Sequence, residues 1–290
     1  MRLRLAVPDE MAVDVLVRDM ERPPWSWKVE VERLSWAHAA DALRNGNADL
    51  AFISPRALYS LRSRCEVVPG IALTTRGGTH CALLVYRGSL ENIERIHSEC
   101  DGHGADFLCE LFFAAGGRPI PLSKSDRSPD TLAEREALVL SGLRALRHRP
   151  TKGLQVLDLG AAWFEMSRRP LLWGVWAGRD AIVDRALYKL LHSARTHGRR
   201  ALDDIVARRF NETDFRAEMT PLLRDRTVFR LGREELAGMR ELWEAGVEHG
   251  LLDGASNPNT LRFASLGRKT SCHDIAERVR AARNSNTNKH

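Results

Sequence analysis

The sequence predicts an α/β protein of two lobes, with two mixed sheets joined by two hinge strands. Three observations predict it. Arg2–Arg62 alternates short strand and helix signals as β-α-β-α-β-α, the rhythm of a parallel sheet with crossover helices. Two strongly apolar strands, Cys81–Tyr86 and Leu171–Trp176, lie far apart in the chain and suit an excursion to a second lobe and back. The length of 290 residues is enough for two domains of about 100–200 residues each.

Each element has a local reason. Arg2–Val7 alternates polar and apolar residues before Pro8, so it reads as a strand that ends in a loop. Met11–Met20 follows as a short helix, with Asp9 and Glu10 near its start. Val29–Leu34 alternates again. Trp36–Asn45 has helical period and stops at Gly46. Asp49–Ser54 is an apolar run of strand length, and Pro55 opens a helix over Arg56–Arg62. Val67–Thr75 and Cys81–Tyr86 are strands split by Arg76-Gly77-Gly78-Thr79-His80. Leu90–Ile96 reads as strand or short helix, Ala105–Ala115 as a helix, and Pro119–Leu122 as a short strand. Thr131–Leu146 reads as a helix opened by Ser128-Pro129-Asp130. Leu154–Leu159 and Pro170–Trp176 are apolar, with a short element starting at Trp163 between them. From Asp180 to Leu252 the period is almost wholly helical, broken at Gly198, Asn211 and Gly232. The implied division puts 1–83 and 176–254 in lobe one and 84–175 in lobe two. Residues 255–290 form a polar, partly disordered extension.

Composition removes several function classes. Lysine and arginine number 44 against 38 acids, a formal charge of +6 that favours acidic ligands. The basic residues are dispersed, and neither zinc-finger spacing nor an aromatic RNA-binding motif is present, so nucleic acid is not the expected partner. Five cysteines (Cys65, Cys81, Cys100, Cys109, Cys272) form an odd set without CxxC spacing, which fits reduced thiols rather than disulfides or zinc. No apolar run approaches the ~20 residues of a membrane span, and the N-terminal LAVPDE is too short for a signal peptide. A cytoplasmic protein without a membrane partner is expected, with its oligomeric state open.

Four segments carry a family resemblance: Asn45–Tyr59 (NGNADLAFISPRALY), Gly77–Tyr86 (GGTHCALLVY), Asp158–Arg179 (DLGAAWFEMSRRPLLWGVWAGR) and, more weakly, Leu222–Leu242. They resemble the chorismate dehydratase family of the futalosine route to menaquinone. The third segment is the most specific, because Asp, Gly, two Trp, Pro and Arg fall in order at family-like spacing. The resemblance implies a periplasmic-binding-protein-like fold of type II, with a small anionic ligand, chorismate or a similar carboxylate, in the cleft. It also implies loss of water from chorismate to give 3-(1-carboxyvinyloxy)benzoate, with no metal or organic cofactor and with the substrate's own enolpyruvyl carboxylate as base. The sequence departs from the family at several site positions. Val7–Met11 holds no Asn, and Cys81 stands where a serine is expected. Asp101–Asp106 replaces a hydroxyl-rich helix start, and Ser141–Leu146 lacks the family acid.

Ligands of open α/β sheets collect at the carboxyl ends of strands, and this selects the candidate residues. Asp9 and Glu10 are candidates for acid/base work or for recognising a cationic group, or simply charges near a helix start. Ser54 either donates to a carboxylate or caps the helix after Pro55. Gly78, Thr79 and His80 suit an anion cradle, with a plain turn as the alternative. Cys81 is a nucleophile candidate if its thiol is activated, and otherwise an inert buried cysteine. His103 and Asp106 open a helix, as acid/base partners or as a cap with a solvated His. Trp176 lies on a hinge strand, as ligand contact or as core. Asp158 is expected to orient hinge amides, and Arg179 either pairs with a carboxylate or forms a surface ion pair.

Overall fold

The computed structural model describes residues 2–22, 28–98, 104–149, 151–210, 213–254 and 261–266. The chain forms two compact units. Unit 1 comprises Met1–Leu73, Gly174–Leu231 and Asn259–His290, and unit 2 comprises Thr74–Trp173 and Gly232–Pro258.

Unit 1 is built on β1 (Arg2–Pro8), β2 (Lys28–Leu34), β3 (Leu50–Ile53), β4 (Glu66–Thr75), β10 (Leu171–Gly178) and β11 (Thr227–Val228). These six strands form one sheet in the order β11-β4-β10-β3-β1-β2. β1 runs parallel to both β2 and β3, and β10 runs antiparallel to β3 with Val175 opposite Ile53. Helices α1 (Met11–Val17), α2 (Trp36–Arg44) and α3 (Pro55–Leu61) supply the crossovers. The strand interiors Leu3, Leu5, Val7, Leu50, Phe52, Ile53 and Val175 are fully buried. That burial explains why β3 and β10 read as apolar runs rather than alternating strands.

Unit 2 holds β5 (Ala82–Arg87), β6 (Arg95–Ser98), β7 (Leu122–Lys124), β8 (Glu136–Ser141) and β9 (Leu154–Asp158), in the order β7-β6-β8-β5-β9. β6 is parallel to β7 and β8, whereas β5 is antiparallel to β8 and β9. Helices α4 (Ala105–Ala115), α5 (Gly142–Arg147) and α6 (Leu159–Ser167) complete its sequence-continuous part. Leu83, Val85, Leu132, Leu138, Leu140 and Ala145 form one core cluster.

Four expectations need correction. Thr131–Leu146 is not one helix, because its middle is β8, a central strand paired on both sides. A short apolar run buried on both faces has no period that separates strand from helix, and the positive φ of Arg135 and Gly142 bounds it. Cys81–Tyr86 is not a hinge strand. β5 belongs wholly to the second sheet, and the chain passes between units within β4 and β10. Gly198 does not break a helix but lies inside α7 (Arg185–Arg200), which is followed by α8 (Leu202–Arg209) and α9 (Thr213–Pro221). A Cβ at Gly198 would lie 2.0 Å from the Val15 carbonyl oxygen, so glycine is there to let α7 touch α1. Residues 232–254, expected in lobe one, belong to unit 2. There α10 (Arg233–Glu248) sets Gly238 against the Pro170 carbonyl and Gly246 against Phe107.

Of the extension, 261–266 adds to unit 1. Val67 donates to the Arg262 carbonyl at 2.8 Å, and Ala264 donates back to Val67 at 3.0 Å. The tail expected to be disordered, with Cys272, lies outside the described residues. Among the described residues, no helix is long and apolar enough to cross a membrane.

Candidate functional site

Reversals of strand order locate the candidate edges. In unit 1 the chain goes from β1 to β2 on one side and then returns past β1 to β3 on the other. The carboxyl ends of β1 and β3 therefore flank a topological switch point, the usual ligand crevice of an open α/β sheet. The residues that follow these strands are Asp9 and Glu10 after β1, Trp36 after β2, and Ser54 after β3.

Ser54 is fully buried, and its hydroxyl accepts the Ala57 N–H at 3.3 Å, capping α3 with Pro55 at the first helical position. Asp9 is half of an ion cluster. Arg209 of α8 reaches Asp9 Oδ1 through Nη2 at 2.7 Å and Asp14 Oδ2 through Nε at 2.7 Å, while Arg33 pairs with Asp14 at 2.5 Å. This cluster walls a groove of about 540 Å³ that also holds Arg18 and Arg208. Glu10 turns elsewhere. Its half-buried carboxyl takes a hydrogen bond from the Trp36 side chain, and its pKa is pushed up to about 7. Burial is the main cause, with Asp9 and Asp14 adding to it, while Trp36 and Arg209 oppose it.

An aromatic row runs inward from there. The Trp36 and Phe52 rings lie 6.1 Å apart, and Phe52 meets Trp176 edge-on at 5.4 Å. Gly174 makes room for it, since a Cβ there would come within 2.5 Å of Phe52 and 2.9 Å of Trp36. Trp176 is fully buried, and its indole N–H has no acceptor among the described residues. Its place is the core of unit 1, not an exposed edge.

In unit 2 the reversal falls at β6, since β7 and β8 lie on its two sides. The carboxyl ends of β6 and β8 carry Ser98 and Ser141, and Ala82 at the start of β5 sits opposite Ser141. The loop Gly77–Cys81 thus comes to the same edge as Asp106. Asp106 is buried in the first turn of α4, where the Ser98 hydroxyl donates to it. His103 and Cys100 lie outside the described residues.

The loop is braced from within. Asp158 Oδ2 accepts the Thr79 N–H at 3.0 Å and the His80 N–H at 2.7 Å, while Oδ1 accepts the Ala161 N–H at 3.0 Å and caps α6. Gly78 is required, because a Cβ would stand 2.9 Å from Asp158 Oδ2. Two of the segments that carry the resemblance, Gly77–Tyr86 and Asp158–Arg179, therefore meet at one carboxylate. The amides of Thr79 and His80 already hold an anion, so they form no open cradle for a ligand. What the loop offers is side chains. Thr79 Oγ1 is buried without a partner among the described residues, and His80 is exposed at φ +55°. The half-buried Cys81 directs Sγ to the Thr79 carbonyl at 3.3 Å. Burial pushes the Cys65 thiol up to about 12 and that of Cys109 well above its ordinary value, so neither is a thiolate near neutral pH.

Sequence reasoning missed Arg209 and Arg33, the partners of the acids after β1. Arg209 is remote in the chain and gives no local signal, whereas Trp36 was accessible to the strand-end rule that selected Asp9 and Ser54. Among the described residues, no group of three or more His, Cys, Asp or Glu side chains is placed to hold a metal ion.

Residues 19–248 match the model of a family described as menaquinone biosynthesis. The chain belongs to that family. A relative, the chorismate dehydratase of Thermus thermophilus, is 21% identical over 181 residues, 57% of this chain and 67% of its own length. Among solved structures, the periplasmic aliphatic sulphonate binding protein SsuA from Escherichia coli is similar with a TM-score of 0.64 at 11% identity, over 93% of this chain and 94% of its own. A protein from Archaeoglobus fulgidus gives 0.62 at 16% identity, over 87% and 98%. A Candida albicans protein described as having the generic periplasmic binding protein fold gives 0.58 at 10% identity, over 94% and 99%. At these identities the structural likeness speaks to fold, and the fold of this chain is periplasmic-binding-protein-like, with two mixed sheets.

Proposed function

We propose that this protein is a cytoplasmic lyase of menaquinone biosynthesis that eliminates water from a cyclic dicarboxylate, with chorismate as the first candidate. The observation that carries the reading is the family match over residues 19–248, supported by the relative named chorismate dehydratase. The reaction is redox-neutral: one C–H and one C–O bond break, a C=C bond forms, and the proton and hydroxide leave as water. Rigid binding of the two carboxylates supplies orientation, and donors at the strand ends stabilise the charge that develops as the C–O bond opens. At the strand ends of unit 1 the candidate groups are Glu10, the Trp36 edge and the Asp9–Arg209 pair. Taken by itself, the edge of unit 2 offers the side chains of Thr79, His80 and Cys81 on a braced loop, with Asp106 and Ser98 at the neighbouring strand end. Incubation with chorismate across about pH 5–9, followed by product analysis, is the test. Formation of 3-(1-carboxyvinyloxy)benzoate supports the reading, and no conversion at any pH removes it. A different product from another cyclic dicarboxylate would keep the reaction class and change the substrate.

A second reading is a binding or sensing protein of the same fold. It is favoured by the departures from the family pattern: no Asn in Val7–Met11, Cys81 where a serine is expected, and the rewritten Asp101–Asp106 stretch. Ligand-induced thermal stabilisation with no turnover would select it.

A further inference from the structure

The charged groups after β1 divide unevenly. Asp9 and Asp14 are matched by Arg209 and Arg33: Arg209 bonds both aspartates, and Arg33 holds Asp14 at 2.5 Å and Asp9 at 4.0 Å. Two anions and two cations close on each other. Glu10, next to Asp9 in sequence, has no ion-pair partner of its own among the described residues. Its neighbour is the Trp36 indole, a neutral donor, and the two carboxylates of Asp9 and Asp14 lie near enough to disfavour a third negative charge. His38, on the same helix as Trp36, is turned to the Ser35 hydroxyl at 3.0 Å. Among these groups the Trp36 N–H and Arg209 favour ionised Glu10, but the indole carries no charge and Arg209 is committed to the aspartates, so burial with Asp9 and Asp14 prevails.

Glu10 also stands at the switch point, beside the carboxyl end of β3 and the aromatic row made possible by Gly174. An ionised glutamate here would repel a dicarboxylate. A neutral one presents an O–H donor to it.

We propose that Glu10 receives one carboxylate of the ligand as a neutral carboxylic acid, donating its O–H to the ligand oxygen. This rests on the functional reading above, and it makes acidic-ligand binding at this edge proton-linked. Burial and the two aspartates supply the means, since they hold the Glu10 proton to about pH 7. Below that pH the acid is ready to donate. Above it, each ligand that binds must bring a proton with it.

The test is calorimetric titration of the intact protein with 3-(1-carboxyvinyloxy)benzoate, a dicarboxylate that has no water left to lose. Affinity of the wild type is expected to fall about tenfold from pH 6 to pH 8, and Glu10→Gln is expected to bind with the same affinity at both. As a measurement independent of any variant, wild-type titrations at pH 8 in two buffers of different ionisation heat are expected to show uptake of about one proton per ligand. Binding that is indifferent to pH, or a pH slope that survives in Glu10→Gln, overturns the inference and leaves the lyase reading standing. Absence of binding at both pH values removes the dicarboxylate reading and this inference together.

Discussion

At the edge of the first sheet, two arginines and two aspartates close on one another and leave Glu10 to the Trp36 indole. At the edge of the second, a single aspartate turns inward and takes up the backbone of its own loop and helix. Both edges lie at a reversal of strand order, so topology alone would give them the same use. Their electrostatics differ. The second edge is satisfied internally and is a rigid platform for side chains. The first keeps one carboxyl at the threshold of ionisation, so a change of charge near neutral pH is expected there.

Breaking the brace is expected to produce the largest effect. Asp158→Ala removes the acceptor of three backbone N–H groups, and a loss of about 3 kcal/mol in unfolding free energy is expected, seen as a lower urea midpoint at unchanged slope. An unchanged midpoint would mean that the loop does not depend on that carboxylate.

The next effect has the opposite sign and belongs to the first edge. Glu10 keeps its proton in the folded protein to about pH 7, whereas the unfolded chain releases it near 4.5. The folded state therefore binds more protons in that window, and Glu10 makes stability fall as pH rises through it. Glu10→Gln should leave stability unchanged near pH 4 and raise it by about 1–2 kcal/mol at pH 8, after allowance for screening at a half-buried group. Equal gains at both pH values would show that ionisation is not the cause.

Two smaller substitutions sharpen the contrast. Ser54→Ala removes the cap of α3, with an expected cost of about 1 kcal/mol in thermal or urea unfolding. A loss of ligand affinity without that cost would instead make the hydroxyl a binding group. Thr79→Val replaces a buried, unpartnered hydroxyl with a methyl and should raise stability by about 0.5–1 kcal/mol. A gain in stability together with weaker dicarboxylate binding would show that the hydroxyl is kept for the ligand.

The first crossover units were legible because each strand stops at a residue with its own physical signature. Pro8 ends β1, Gly46 follows α2, and Pro55 opens α3 beneath the Ser54 cap. β8 was not legible. Its apolar run is flanked by helix-forming residues, and only pairing with β5 and β6 makes it a strand. Gly198 was misread for a related reason, since a glycine that admits a neighbouring backbone looks in sequence like one that ends a helix. At the sites, strand ends pointed to Asp9, Ser54 and the Gly77–Cys81 loop. The sequence did not tell that Arg209 would claim Asp9 or that Asp158 would claim the loop amides, because both partnerships join distant parts of the chain. The same remoteness hid the distinction between Asp9 and Glu10, two adjacent acids with opposite electrostatic surroundings.

The carboxylate under the Gly77–Cys81 turn has one more consequence. A turn that carries its own counter-ion is already in shape before any solute arrives, so docking there forfeits little conformational entropy. It also separates shape from selectivity. The turn is held through main-chain amides, so the side chain at 79 can be exchanged, and that at 80 among residues tolerant of a left-handed backbone, while the turn persists. Preference among solutes can then drift at this edge without the fold having to be rebuilt.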